Sequence, residues 1–207
     1  APEPVAPVPP PLAVPLPVAP LRKSTQTDPA FDVLQPFNAA DFALAYDVLL
    51  GGGDSARAFL VAQRAVRELP NDRAWRKKLA QVAEWTQRPV LATQQWSYLF
   101  QQGDHSDETV SMVIRLAFFL DNPEIALRAW QVRAQHGALT DAQWAGVFQL
   151  YESTAQPSEG SRYFEAQFQQ KRMPHLLEYA ARMAENAGED ARAQKLYLQR
   201  AQIEPFS

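Results

Sequence analysis

From about residue 39 onward, apolar residues recur every three or four positions, the spacing of a single helical face. Phe42, Ala45, Tyr46 and Leu49 form one such stripe. Trp144, Val147, Phe148 and Tyr151 form another, and Leu177, Ala180 and Ala181 a third. A second pattern overlies the first: a small residue followed four positions later by a bulky one. The pairs are Ala92/Trp96, Ala126/Trp130, Gly160/Phe164 and Ala193/Tyr197, with Ala58/Ala62 an earlier member that lacks the bulk. Successive small residues lie 34, 34, 34 and 33 positions apart. The small residue lets two helices approach, and the large one a turn later fills the groove beside it.

Punctuation between the stripes agrees with this period. Gly51-Gly52-Gly53 ends one helix, and Asp54 or Ser55 caps the next. Pro89 and Pro123 stand where a helix opens, because a first-turn residue needs no N–H. Ser106 caps a helix expected to run through Leu120, and Thr140-Asp141-Ala142-Gln143 has the form of a capping box. The spacing therefore predicts five helix-turn-helix units at about 39–72, 73–106, 107–140, 141–173 and 174–207. Together with the A-x-x-x-F signature, the 34-residue period resembles the tetratricopeptide repeat. Trp144, Val147, Phe148 and Tyr151 follow that family's first-helix pattern, apart from bulk at its glycine position, and Pro70 and Pro205 close units. The resemblance implies an all-α tetratricopeptide superhelix with a long concave surface, a scaffold rather than an enzyme.

Residues 1–20 break the pattern, with nine prolines and one charged residue, Glu3. Such a run supports neither helix nor central strand, and as polyproline II it would reach about 60 Å. Residues 1–30 are expected to be a disordered Pro-rich linker, with 31–207 the repeat domain. Two readings of the head are open: a semi-rigid tether from a missing membrane segment or signal, or a ligand for a proline-motif partner. Phe31, Val33, Leu34 and Phe37 are expected to cover the end of the first helix pair. The absence of an initiating Met suggests a processed chain or a piece of a longer one.

Charge and composition mainly exclude. A net charge of −3 speaks against a nucleic-acid partner, and no apolar run reaches 18 residues, so no membrane span is expected. Cysteine is absent, and His105, His136 and His175 have no second histidine at ligand spacing, so neither a metal nor a cofactor is expected. The neighbours His105, Ser106 and Asp107 do not make a triad, which is assembled in space rather than along a loop. Glu84, Glu152, Glu178 and Glu185 read as a solvated helix face.

Helical phasing places the candidate binding residues on the first helix of each unit: Lys77, Gln81, Trp85, Arg115, Phe119, Gln149 and Arg182. Gln81, Arg115 and Gln149 recur at 34-residue steps as a polar ladder, and Trp85 and Phe119 form an aromatic row one turn away. Such a face could hold a peptide, a helix or a sugar chain stacked on the rings. The positions matching the Lys/Asn clamp of chaperone-binding tetratricopeptide domains are Ala43, Asp47, Lys77 and Gln81, which disfavours that version.

The stretch WRKKLAQVAEWTQRPVLATQQWSYLFQQGD (Trp75–Asp104) resembles more narrowly the repeat region of the PelB family, outer-membrane proteins that export the Pel exopolysaccharide in Gram-negative biofilm formers. That resemblance implies a periplasmic scaffold within a longer membrane-linked protein or complex. Its groove would recruit a polysaccharide deacetylase or hydrolase. Direct binding of the polysaccharide on its way to a pore, and a general adaptor unrelated to polysaccharide, stand as alternatives.

Overall fold

The computed structural model describes residues 36–120 and 122–203; the Pro-rich head, Phe31, Val33, Leu34 and Pro205 lie outside them. The described chain is all-α, without a strand among the described residues. It runs α1 (Ala39–Gly51), α2 (Ser55–Glu68), α3 (Arg73–Trp85), α4 (Pro89–Gln101), α5 (Asp107–Arg115), α6 (Pro123–His136), α7 (Asp141–Ser153), α8 (Pro157–Lys171), α9 (Pro174–Asn186) and α10 (Asp190–Ile203). Each helix packs on the next, so the pairs stack as a tetratricopeptide-type array.

The starts are those the residues dictate. Asn38, Asp54, Asp72, Ser106, Asn122 and Thr140 each accept from a first-turn N–H, and Thr140 with Gln143 completes the capping box. Proline occupies the first turn of α4, α6, α8 and α9. Phe37 stacks on Phe42 at 4.6 Å, which closes the first pair at its outer end.

The turns inside the units also repeat. Gly53, Gln87, Ala155 and Gly188 all have φ between 53° and 79° and occupy one register position. In each case the following N–H reaches back to the last turn of the preceding helix: Asp54 to Leu49 O, Arg88 to Ala83 O, Gln156 to Tyr151 O and Glu189 to Ala184 O. This is the Schellman closure, which satisfies an orphan carbonyl and asks for a left-handed residue. Gln87 and Ala155 meet that demand at the cost of a Cβ. Ala155→Gly should therefore raise stability by roughly 0.5–1 kcal/mol, the relief of left-handed strain less the extra entropy of glycine. Thermal unfolding checks this, and a lowered midpoint would count against it.

The small residues of the 34-residue pattern sit at the helix-helix contacts. Ala58, Ala92, Ala126 and Ala193 are buried, as are Trp96, Trp144 and Phe164. Around Gly160 the packing is aromatic: Trp144, Phe148, Tyr151, Tyr163, Phe164 and Tyr179 form one cluster of rings with centroids 5.1–6.5 Å apart. Burial pushes the Tyr151 hydroxyl up to about 12, although Gln131 donates to it at 2.8 Å.

One helix departs from expectation. The helix capped by Ser106 stops at Arg115 instead of Leu120, and Ala117–Phe119 form a short 3-10 turn. Phe118 stands there at the position that Glu84, Glu152 and Glu185 occupy in their own units. Glu84 and Glu185 each tie the end of their helix to an aromatic donor of the next, and Phe118 offers no acceptor to do the same.

Candidate functional site

Side chains join the first helices of neighbouring units directly, α1 with α3, α3 with α5 and α7 with α9. Tyr46 Oη on α1 donates to the Lys78 carbonyl of α3 at 3.1 Å, and Lys78 Nζ pairs with Asp47 at 2.9 Å. Between α3 and α5 the links multiply. Lys77 Nζ lies 2.5 Å from Glu108 Oε2, and Gln81 Nε2 donates to Glu108 Oε1 at 2.9 Å. The hydrogen bond from Lys77, helped by Gln81 and opposed by burial, holds the Glu108 carboxyl below its ordinary range. Further along, Arg115 pairs with Glu84. Between α7 and α9, Asn186 Nδ2 donates to Glu152 at 3.2 Å, and the Arg182 guanidinium lies 4.7 Å above the Phe148 ring.

These contacts sort the candidate residues. Lys77, Gln81 and Arg115 are bound sideways to carboxylates on neighbouring helices, so two members of the expected ladder, Gln81 and Arg115, cross-link α3 and α5. Gln149 is exposed on α7, and Arg182 is exposed on α9 while covering Phe148. Trp85, the last residue of α3, is 59% exposed, whereas Trp75, Trp96 and Trp144 are buried. Trp75 packs edge-on against Tyr46 at 6.0 Å and is a core residue.

Phe119 leaves the α-helical register that phased it with Trp85. The 3-10 turn carries Phe119 against α4, where it lines a cavity with Thr93 and Ser97 that Trp85 does not line. An α-helix continued to Leu120 would have kept the two rings in register; its early end breaks the phase.

Glu84 was legible only in part. It is no solvated carboxylate: its side chain is 16% exposed, one oxygen accepts from Trp96 Nε1 at 2.8 Å, and the other takes Arg115. It joins α3, α4 and α5. The same bond recurs where Tyr197 Oη donates to Glu185 at 2.9 Å. The signal lies in the sequence, since a carboxylate stands twelve residues before an aromatic donor in both units. Glu178 is likewise engaged, 3.2 Å from Arg200. Among the described residues no group of three His, Asp or Glu side chains is placed to hold a metal ion.

No known protein family matches the chain, and no curated protein matches it. Solved structures do resemble it. The crystal structure of MamA is 15% identical with a TM-score of 0.43, over 79% of this chain and 90% of that one. YrrB, described as a TPR protein with an unusual peptide-binding site, is 14% identical with a TM-score of 0.42, over 84% and 92%. A tetratricopeptide repeat protein from Parabacteroides merdae ATCC 43184 is 16% identical with a TM-score of 0.43, over 86% and 71%.

Proposed function

We propose that this chain is a non-catalytic protein-interaction scaffold of the bacterial envelope, and that its first-helix face docks a periplasmic polysaccharide-modifying enzyme during Pel-like exopolysaccharide export. The observation that carries docking is Trp85. An indole left 59% exposed, beside helices cross-linked by Glu84, Glu108 and their partners, is a rigid anchor that a partner protein would bury. Lys77, Gln81 and Arg115 serve this face by fixing α3 against α5, while Trp85, Gln149 and Arg182 meet the partner. The identity of the partner rests on the resemblance of Trp75–Asp104 to the Pel export proteins, and the periplasmic location rests on the same stretch.

The test uses tryptophan emission with a purified polysaccharide deacetylase-hydrolase as titrant. Docking should shift the exposed tryptophan signal to the blue, and Trp85→Ala should abolish the shift and weaken binding about tenfold or more, the effect of losing an anchor. Binding unchanged in Trp85→Ala would overturn the docking surface. Quenching by a neutral oligosaccharide, with no response to the enzyme, would replace the protein partner by the polymer itself.

A further inference from the structure

The early end of α5 has a second result. Between α4, the 3-10 turn and the first turns of α6 it leaves a cavity of about 320 Å³. Its α4 wall carries Thr93 and Ser97, both buried, with Gln94, Tyr98, Gln101 and Gln102 beside them. The Ser97 hydroxyl has no hydrogen-bond partner, unlike that of Thr93, which donates to the Pro89 carbonyl at 2.7 Å. Phe119, Leu120 and Ile125 supply apolar sides. Carboxamides, among them Gln94 and Asn122, stand around it. Asn122 Oδ1 is already taken by the Glu124 N–H, which leaves its amide as a donor. Phe118, the neighbour of Phe119 in the 3-10 turn, is 92% exposed and meets it edge-on at 5.5 Å. A ring that bare has no packing role in the described chain.

We propose that this niche is a second binding site, distinct from the first-helix face, and that it takes an uncharged, extended peptide segment of a partner protein, one aliphatic or prolyl side chain entering between Ser97 and Phe119. The charge pattern selects this occupant. Every described residue lining the cavity is uncharged, and the charged groups that touch two of them, Arg73 on the Gln102 carbonyl and Arg76 over the Tyr98 ring, are cationic, so a lysine side chain would be desolvated there without a counter-ion. Carboxamides offer an extended backbone both a donor and an acceptor, and exposed aromatic rings suit proline-rich or aliphatic segments. The site stands whether or not Trp85 anchors an enzyme.

The experiment is a titration of the full chain, followed by amide NMR, with a labelled twelve-residue peptide of alternating proline and leucine. Controls are the same peptide with lysine in place of leucine, and maltohexaose. Saturable shifts are expected at Ser97, Phe119 and Ile125 with the uncharged peptide only. Phe119→Ala should weaken binding about tenfold, as should Gln94→Glu, which leaves the core untouched and puts a charge on the rim. Shifts absent up to millimolar peptide, equal binding of the lysine peptide, or binding of maltohexaose instead would each overturn the proposal. Neither variant touches Trp85, so failure here leaves the docking of an enzyme on the first-helix face to be judged on its own result.

Discussion

Gly160→Ala should destabilise the array by about 1–3 kcal/mol, against the sign that helix propensity alone would give. Gly160 lies inside α8, where alanine would ordinarily add up to ~1 kcal/mol of stability. A Cβ at this site, however, would meet Tyr151 Cγ at 3.0 Å and Met183 Sδ at 3.1 Å. The methionine can yield, being unbranched and flexible. The tyrosine cannot, because Gln131 holds its hydroxyl and Tyr163 and Phe164 hold its ring. The neighbouring units explain why glycine is needed only here. Where α7 presents Tyr151, α3 and α9 present Ala83 and Ala184, and the small residues opposite those are Ala92 and Ala193. In the fourth unit the ring of Tyr151 is matched by the loss of a Cβ at Gly160. A double-mutant cycle makes this decisive: in a Tyr151→Ala background, itself costly by roughly 3–5 kcal/mol, Gly160→Ala should turn neutral or stabilising. Chemical denaturation of the four proteins measures it, and a clash cost that persists without the tyrosine ring would refute the pairing.

That exchange shows which part of the molecule the sequence exposes. The 34-residue spacing of small and bulky residues, the Thr140–Gln143 capping box and the prolines that open α4 and α6 are local or periodic, and each appears in the structure at its place. The face between helices is harder to read. Lys77, Gln81 and Arg115 look like outward donors when each helix is phased alone. Their partners, Glu108 and Glu84, lie 27 to 31 residues away and become neighbours only when the pairs stack. Phe119 was misplaced for a different reason. Phasing carries α5 on to Leu120 because nothing in Val113–Leu120 is a helix breaker, whereas the structure ends the helix at Arg115 and turns Ala117–Phe119 into a 3-10 segment. The niche beside Phe119 was therefore invisible in the sequence.

Glu84→Ala is expected to cost about 1–3 kcal/mol, far more than truncation of an exposed carboxylate, because it strands a buried donor. Trp96 is fully buried, and its Nε1–H has Glu84 Oε1 as its partner at 2.8 Å. Water cannot replace that acceptor without entering the contact between α3 and α4. The pair with Arg115 adds less: that guanidinium is 58% exposed, and exposed ion pairs contribute about 0–1 kcal/mol. Two variants separate the contributions. Glu84→Gln keeps an oxygen for Trp96 and loses only the charge, so its loss should stay under about 1 kcal/mol. In a Trp96→Phe background, which has no N–H to strand, Glu84→Ala should fall to a similar size. Glu185→Ala, at the equivalent place in the last unit, should cost less than Glu84→Ala because its tyrosine partner reaches solvent. Equal losses for the alanine and glutamine variants would assign the stability to the charge on Arg115 and remove the indole from the argument. The ordering matters for function as well. If the indole bond dominates, Glu84→Gln yields a folded array in which α3 and α5 are no longer tied by charge at their ends. Partner binding at Trp85 can then be measured against the rigidity of the face that presents it.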